Sequence, residues 1–249
     1  MELSKTNALI TGASRGLGRA LAEALAERGA RVVLVAREAA PLEAAAEAIR
    51  AAGGDAHALP ADVAAADAGA RIAGTAHAMV GSLDLVVHNA STLGPVPLRP
   101  LSETSDAELE RALAVNLVGA FRITRAVVGQ MVTRGRGTLV HVSSDAAVEP
   151  HPTWGAYAVS KAALDHLAAV WAAELRGTGV RSFAVDPGEM DTAMHAAAIP
   201  DADPAALERP AAVAARIARL IEDPSLAPSG ARVEAARVPA AEAVAGGRA

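Results

Sequence analysis

The 249-residue sequence contains no cysteine. Disulfide bonds, iron–sulfur clusters and metal sites with thiolate ligands are therefore excluded. The seven histidines never show the H-x-x-x-H spacing of a helical zinc site, and we expect no bound metal. Aromatic residues make up only 2% of the chain, so there is no row of rings on which the bases of a single-stranded nucleic acid could stack.

The chain also lacks an excess of positive charge and a long hydrophobic run. It has 23 lysine and arginine residues against 28 aspartate and glutamate residues, whereas nucleic-acid binding needs cations that neutralise phosphates. No uninterrupted apolar stretch reaches membrane-spanning length, and the N-terminus lacks the apolar core of a signal peptide. We therefore expect a cytoplasmic protein that binds neither nucleic acid nor membranes.

Short apolar runs alternate along the chain with alanine- and leucine-rich segments whose apolar residues recur at helical spacing. The predicted strands are 7–11, 31–36, 56–60, 83–88, 138–143 and 180–185, and the predicted helices are 17–28, 41–52, 66–79, 105–134 and 154–176. This alternation predicts one α/β domain over residues 1–249, a doubly wound, Rossmann-type three-layer sandwich with a parallel sheet of about seven strands. Residues 239–249 are rich in small side chains and are predicted to form a flexible tail.

The first predicted strand runs into the glycine-rich segment TGASRGLG, residues 11–18, and then into a helix. Gly12, Gly16 and Gly18 have no Cβ that would keep the backbone away from a pyrophosphate, and the helix N-terminus attracts its charge. A tight turn without a ligand could carry the same glycines. The strand–turn–helix setting nevertheless favours a dinucleotide-binding site.

The end of the second predicted strand favours NADP(H) over NAD(H). NAD enzymes usually carry an acidic residue there, which accepts a hydrogen bond from the ribose 2'-hydroxyl, whereas this chain has Ala36 followed by Arg37. Arg15 in the glycine-rich turn and Arg37 could together bind a 2'-phosphate through charge-assisted hydrogen bonds. The alternative is that both arginines are solvated surface residues.

The only tyrosine of the chain, Tyr157, lies four residues before Lys161, one of two lysines. Residues four apart share a helix face, so the phenol and the ammonium group are predicted to be neighbours. A fixed cation lowers the phenol pKa, which would allow Tyr157 to exchange a proton. Ser143 and Ser144 end the preceding strand, where a hydroxyl could hydrogen-bond a substrate carbonyl. Tyrosine packing at a helix edge and strand-end capping by the serines are the structural alternatives.

These segments together resemble the short-chain dehydrogenase/reductase family. The resemblance rests on TGASRGLG, HNAS at 88–91, Asn116, Ser144, YAVSK at 157–161 and DPGEMDT at 186–192. It implies a catalytic tetrad. Ser144 would polarise the substrate carbonyl, Tyr157 would be the acid/base, and Lys161 would hold the nicotinamide ribose. Asn116 would anchor a water on the proton relay. PGEMDTAM and the LGPV loop at 93–96 are similar to the sepiapterin reductase and benzil reductase branch, which implies dicarbonyl or bulky ketone substrates.

The resemblance also implies a set of residues that contact the cofactor. These are Gly12, Ser14, Arg15, Gly16, Leu17, Gly18, Arg37, Asp62, Val63, Asn89, Ala90, Tyr157, Lys161, Pro187, Gly188 and Thr192. The chain departs from the family pattern at His88, where asparagine is usual, and at Ser91, where glycine is usual. The segment SGARVEAARVPAAEA near the C-terminus lacks the glycine pair that commonly ends the last strand.

We predict an oxidoreductase that transfers a hydride between NADP(H) and a small-molecule carbonyl or secondary alcohol, with Tyr157 as acid/base. The alternatives are a NAD-dependent dehydrogenase, a sugar epimerase or dehydratase, and a nucleotide-binding sensor or scaffold that has lost catalysis. The long helices at 105–134 and 154–176 carry more apolar residues than one sheet face can cover, which predicts a homodimer or a tetramer. Residues 189–204 are predicted to form a substrate lid.

Overall fold

Strands and helices alternate along the chain in the computed structural model, which describes residues 1–238. The strands are β1 Asn7–Thr11, β2 Arg31–Ala36, β3 Asp55–Pro60, β4 Leu85–His88, β5 Gly137–Val142, β6 Val180–Asp186 and β7 Arg232–Glu234. The α-helices are α1 Gly16–Glu27, α2 Ala39–Ala51, α3 Ala68–Val80, α4 Asp106–Leu113, α5 Gly119–Arg134, α6 Gly155–Glu174, α7 Ala193–Ala198 and α8 Pro210–Glu222. The predicted tail at 239–249 lies outside the described residues.

All strands of the described chain pair in parallel, in the order β3-β2-β1-β4-β5-β6-β7. Helices α1, α2 and α8 bury apolar faces against one side of the sheet, and α3, α5 and α6 cover the other. The predicted doubly wound three-layer fold is therefore confirmed. Strand order reverses between β1 and β4, and ligands of such sheets bind in the crevice at the carboxyl ends near this point.

The long helix predicted at 105–134 is divided into α4 and α5 by a π-helical turn, Ala114–Val118. Ser105 caps α4 in a capping box with Glu108, as expected for a serine three residues before a glutamate. The wider turn carries Asn116, which is 1% exposed. Turns of this kind inside helices are frequent at functional sites.

Three elements that follow β6 are absent from the predicted set: the short helix α7, helix α8 and strand β7. Helix α8 has proline in its first turn and buries Val213, Ile217 and Leu220, which are three or four residues apart, so its sequence does carry a helix signal. Strand β7 has three residues, all half-buried, and is too short to show an alternating pattern.

The continuous helical run Asp106–Arg134 is long and apolar enough, by length and composition, to cross a membrane. It is not an uninterrupted apolar stretch, because Arg122 and Arg125 lie within it. Its Ile123 and Val127 are buried in the core between helices and sheet, and core helices of globular domains meet the same criterion. On its own, the run is weak support for a membrane span.

Two histidines are buried side by side in the middle of the sheet. His88 on β4 lies opposite His141 on β5, with 4.9 Å between the ring centroids. His88 Nε2 lies 2.8 Å from Thr124 Oγ1, and His141 Nε2 lies 3.3 Å from Ser182 Oγ. Burial lowers the pKa of His88 to about 3, and burial together with the charge of His88 lowers the pKa of His141 well below its ordinary value. Both imidazoles are therefore neutral near pH 7.

The buried pair predicts a loss of stability in mild acid. The folded-state pKa of each histidine lies below the unfolded value of about 6.5, so stability is complete above that pH and falls as the pH drops toward the folded pKa. Each histidine should cost up to about 1.4 kcal/mol per pH unit in this range. In urea unfolding at about pH 7 and pH 5, His88→Asn should lose less stability on acidification than wild type does.

The matched control is His77→Asn, because His77 is exposed on α3 and lies outside the buried pair. It should keep the pH dependence of wild type. Equal losses for wild type and His88→Asn would show that the buried pair does not govern acid sensitivity.

Candidate active site

The turn between β1 and α1 needs glycine for both conformation and space. Gly12 and Gly16 have φ angles of 68° and 56°, in the left-handed region that favours glycine. A Cβ on Gly12 would lie 2.8 Å from Ala90 Cα, and one on Gly18 would lie 2.3 Å from the Gly12 carbonyl oxygen. The turn therefore exposes bare backbone and the N-terminus of α1 to the crevice, which suits a bound pyrophosphate.

The end of β4 braces this turn from below. Asn89 Nδ2 donates to the carbonyl oxygens of Thr11 at 2.9 Å and Gly12 at 3.1 Å. The amides of Asn89 and Ala90 both donate to Thr11 Oγ1 at 3.0 Å. Ser91, which stands where glycine is usual, also lines the crevice, and its buried hydroxyl has no hydrogen-bond partner within residues 1–238.

An open cleft of about 1000 Å³ runs along the carboxyl ends of the strands. It brings together all predicted site residues except two. Those that line it are Gly12, Ser14, Arg15, Gly16, Leu17, Arg37, Asp62, Val63, Asn89, Ala90, Ser144, Tyr157, Lys161, Pro187, Gly188 and Thr192. The remaining two, Gly18 and Asn116, lie beneath the surface of the cleft: Gly18 is packed under the turn and Asn116 lines a small internal cavity.

One end of the cleft carries guanidinium groups. Arg15 and Arg37 are exposed there, and neither guanidinium group forms a hydrogen bond or ion pair within residues 1–238, although the charge of Arg37 helps to lower the pKa of Asp62. Arg111, by contrast, is paired with Asp62 at 3.0 Å. Glu38 also lines this end. The site thus offers two free cations for an anion and one carboxylate that could accept a hydrogen bond from a ribose hydroxyl.

Tyr157, Lys161 and Ser144 meet at the other end of the cleft. Lys161 Nζ lies 5.5 Å from the centre of the Tyr157 ring, as the four-residue spacing on α6 predicts, and it donates to the Val142 carbonyl oxygen at 2.7 Å. Ser144 follows β5, and its hydroxyl lies next to the Tyr157 phenol. The Trp154 ring packs edge-on against Tyr157, with 5.8 Å between centroids. A hydroxyl pair next to a buried cation is an arrangement suited to proton transfer.

The structure corrects the expected pKa of the phenol. Burial and, to a smaller extent, the nearby carboxylates raise the pKa of Tyr157 to about 12, although the neighbouring Ser144 hydroxyl acts to lower it. The same burial lowers the pKa of Lys161 to about 8, against the charges of Asp165 and Asp186. The prediction from local spacing was wrong because it counted the nearby cation and not the loss of water around the phenol. In this structure Tyr157 is therefore protonated at neutral pH.

Asp145 and His151 extend this cluster toward the mouth of the cleft. Ser144 Oγ donates to Asp145 Oδ1 at 2.7 Å, and His151 Nε2 lies 3.3 Å from Asp145 Oδ2. Sequence analysis missed both residues. Asp145 directly follows Ser144 at the end of a strand, so its position was a usable signal, whereas His151 lies in a loop with no recognisable pattern.

Asn116 holds a loop beside the catalytic cluster. Its Oδ1 accepts from the Thr92 amide at 2.8 Å, and its Nδ2 donates to the Thr92 carbonyl oxygen at 2.9 Å and to Ser160 Oγ at 2.7 Å. Both amide hydrogens are therefore engaged within the protein. The water-anchoring role that the resemblance implies for Asn116 stays a prediction.

The segment after β6 closes the site from the side of the glycine-rich turn. Gly188, with a φ of 75°, donates its amide to Asp186 Oδ1 at 3.0 Å. Thr192 caps α7 by accepting from the His195 amide at 3.2 Å. A Cβ on Gly16 would lie only 3.5 Å from Thr192 Cγ2, so the two segments face each other closely.

A glycine-rich turn at the switch point of a doubly wound sheet, next to a tyrosine–lysine–serine cluster, is typical of nucleotide-binding α/β proteins that carry a proton-transfer site. Residues 6–203 match the family model described as short chain dehydrogenase. The chain is also 37% identical, over 198 residues, to a short chain dehydrogenase of Pseudocercospora fijiensis, covering 78% of this chain and 63% of that protein. The chain belongs to the short-chain dehydrogenase/reductase family of oxidoreductases.

Solved structures show the same fold. A short chain dehydrogenase of Shigella flexneri complexed with NADP superposes with a TM-score of 0.87 at 30% identity, covering 93% of this chain and 97% of that one. A NAD⁺-bound xylitol dehydrogenase superposes with a TM-score of 0.82 at 26% identity, covering 92% and 98%. Structural relatives thus include proteins solved with either nicotinamide cofactor.

Proposed function

We propose that this protein is an NADP(H)-dependent oxidoreductase that interconverts a small-molecule carbonyl compound and its secondary alcohol. The observation that carries the proposal is the meeting of Tyr157, Lys161 and Ser144 in the same cleft as the glycine-rich turn. Family membership supports oxidoreductase chemistry. The nicotinamide cofactor, when bound, would supply or accept the hydride, and the protein would have to supply or accept the proton.

The residues of the chain suit the proton side of this reaction. During reduction, Tyr157 would give its phenolic proton to the carbonyl oxygen as negative charge develops there. The Ser144 hydroxyl, which now donates to Asp145, would turn to the same oxygen and stabilise that charge. The Lys161 ammonium beneath the ring would then stabilise the phenolate that remains.

The free guanidinium groups of Arg15 and Arg37 favour NADP(H), because a 2'-phosphate carries nearly two negative charges. NAD(H) is the second candidate, since Glu38 lines the same end of the cleft and a structural relative binds NAD⁺. A sensor or scaffold that has lost catalysis is the third. The presence of both Tyr157 and Lys161 favours an enzyme over a sensor or scaffold.

The substrate would lie between the catalytic cluster and the segment that follows β6. Met190, Met194 and Ile199 of that segment line the cleft, together with Leu93 and Trp154. Methionine side chains adapt to ligands of varied shape, which suits a bulky ketone or dicarbonyl. We propose that residues 189–204 form a lid that closes over the substrate.

We also propose a homodimer formed through α5 and α6. Phe121 and Val132 on α5 and Val159 and Val170 on α6 are exposed apolar side chains, and the indole of Trp171 stacks on the Phe121 ring. A second copy of the chain would cover this apolar face by a two-fold axis, because the same face on each subunit can pack against itself. A dimer of such dimers would give the tetramer.

The first prediction concerns Tyr157→Phe, which keeps the ring and removes the proton. Turnover should fall by about a hundredfold to ten-thousandfold, the usual contribution of a positioned general acid. NADPH binding should change little, and Lys161→Ala should lose activity and cofactor affinity together. The assay is NADPH oxidation with ketones, aldehydes, diketones and acyl thioesters. Full activity of Tyr157→Phe would overturn the mechanism, and no turnover of wild type with any substrate would favour the sensor.

The second prediction concerns cofactor choice. Wild type should bind NADPH at least about tenfold more tightly than NADH for each arginine engaged. Arg15→Ala and Arg37→Ala should each weaken NADPH selectively, and Ala36→Asp with Arg37→Ala should reverse the preference. Dissociation constants for both cofactors at low and high salt measure this. The control is Arg71→Ala, an exposed arginine on α3 outside the cleft. Equal affinity of wild type for NADH and NADPH would support the NAD(H) alternative.

The third prediction concerns the dimer. Val170→Asp places a charge on the apolar face, where burial of an unpaired carboxylate is unfavourable, and should yield a monomer. Light scattering at micromolar concentration measures the mass. Met79→Asp, on an exposed apolar residue of α3, should leave the dimer intact. A monomeric wild type would contradict the proposed interface.

A further inference from the structure

Arg232, in the C-terminal segment that departs from the family pattern, reaches three separate parts of the active site. Its Nε donates to Asp165 Oδ2 at 2.9 Å, and its Nη2 donates to Asp186 Oδ2 at 2.9 Å and to the Ser144 carbonyl oxygen at 2.8 Å. These partners lie on α6, at the end of β6 and directly after β5. One planar guanidinium group thus joins three elements that separately carry the lysine, the loop beyond Pro187 and the catalytic serine.

The bond to Ser144 acts on the backbone of the residue whose hydroxyl contacts the Tyr157 phenol. Asp186 links Arg232 to the following loop, because its other carboxylate oxygen accepts a hydrogen bond from the Gly188 amide. Loss of Arg232 would therefore free the serine and the loop at Gly188 together. Misplacement of a reacting group by about 1 Å can cost on the order of a hundredfold in rate.

The guanidinium also balances charge around the catalytic pair. Asp165 lies one helical turn beyond Lys161, and the negative charges of Asp165 and Asp186 both favour the charged form of Lys161 and oppose ionisation of Tyr157. The side chains of Asp165 and Asp186 are only 14% and 9% exposed, so each needs a cationic partner. Arg232 is paired with both.

Two further titratable groups face the catalytic pair from β5 and the residues after it. His141 lies beneath Lys161, and burial holds its pKa well below the ordinary value, so it is neutral where the pair titrates. Asp145 faces Tyr157 from the cleft and adds to the charges that oppose ionisation of the phenol. Arg232 is the compensating cation that reaches the two buried carboxylates.

We propose that Arg232 is a positioning residue for the catalytic site. It holds the Ser144 backbone in place relative to Tyr157, and it compensates the two carboxylates beside Lys161. The part that concerns turnover rests on the proposed oxidoreductase function, whereas the part that concerns charge is independent of it. The unusual C-terminal segment therefore contributes directly to the active site through β7.

The test uses the full chain with Arg232→Met, Arg232→Lys and Asp165→Asn, and Arg237→Met as the control. Arg237 lies in the same segment, is 79% exposed and pairs only with Glu234 among the described residues. Two quantities are measured: steady-state kinetics with NADPH and a carbonyl substrate, and the titration of Tyr157 by tyrosinate absorbance without substrate. Because Tyr157 is the only tyrosine in the chain, the absorbance change reports this residue alone.

Arg232→Met should lower kcat about ten- to hundredfold with little change in the KM for NADPH, and Arg237→Met should resemble wild type. Arg232→Lys should restore the charge without the three bonds, so its tyrosine should titrate near wild type while kcat stays low. The two neutralising variants should move the tyrosine titration in opposite directions, upward for Arg232→Met and downward for Asp165→Asn.

A packing role alone predicts no such opposite shifts. Equal kcat for folded Arg232→Met and Arg237→Met would overturn the positioning role. An unmoved tyrosine titration in Arg232→Met and Asp165→Asn would overturn the charge role. If Arg232→Met fails to fold, the kcat of Arg232→Lys tests the positioning role, and the tyrosine titration of Asp165→Asn tests the charge role. A wild type without turnover would contradict the proposed function, and the titration would still decide whether Arg232 sets the charge balance.

Discussion

The ammonium group of Lys161 lies where the protein excludes almost all water, and this burial determines much of what surrounds it. The residue is 2% exposed, and loss of hydration lowers its pKa to about 8. A buried ion that lacks partners would cost several kcal/mol, so the site must supply negative charge and hydrogen-bond acceptors. The Val142 carbonyl supplies the acceptor, and Asp165 and Asp186 supply the charge. Those carboxylates are themselves nearly buried, which creates the need for Arg232.

These requirements connect Lys161 to several elements in the second half of the sheet. Lys161 and Asp165 come from α6, Asp186 from β6 and Arg232 from β7. At neutral pH these four formal charges sum to zero. Ionisation of the phenol would place a negative charge where little water reaches it, and this burial, together with the nearby carboxylates, raises its pKa to about 12.

The parts of the site that were predictable from sequence are those with local signals. The glycine-rich turn and Asn89 directly follow strands that are recognisable as apolar runs, and parallel strands bring such residues to one edge. The spacing of Tyr157 and Lys161 on one helix likewise fixes their proximity. Arg232 has no local signal, because its strand has three residues and its partners Asp165, Asp186 and Ser144 are 67, 46 and 88 positions away.

The direction of the pKa shift of Tyr157 was the other property that the local sequence could not provide. Spacing alone shows a cation near the phenol, but the burial that outweighs it involves tertiary neighbours such as Leu93 and Ala146. His141 illustrates the same point from beneath the cluster: the charge of Lys161 disfavours protonation of this imidazole, and burial disfavours it more. A second cation at that position would compete with Lys161 for the same two carboxylates. A neutral histidine there adds no further cation beside these carboxylates, and Tyr157 keeps its proton at neutral pH.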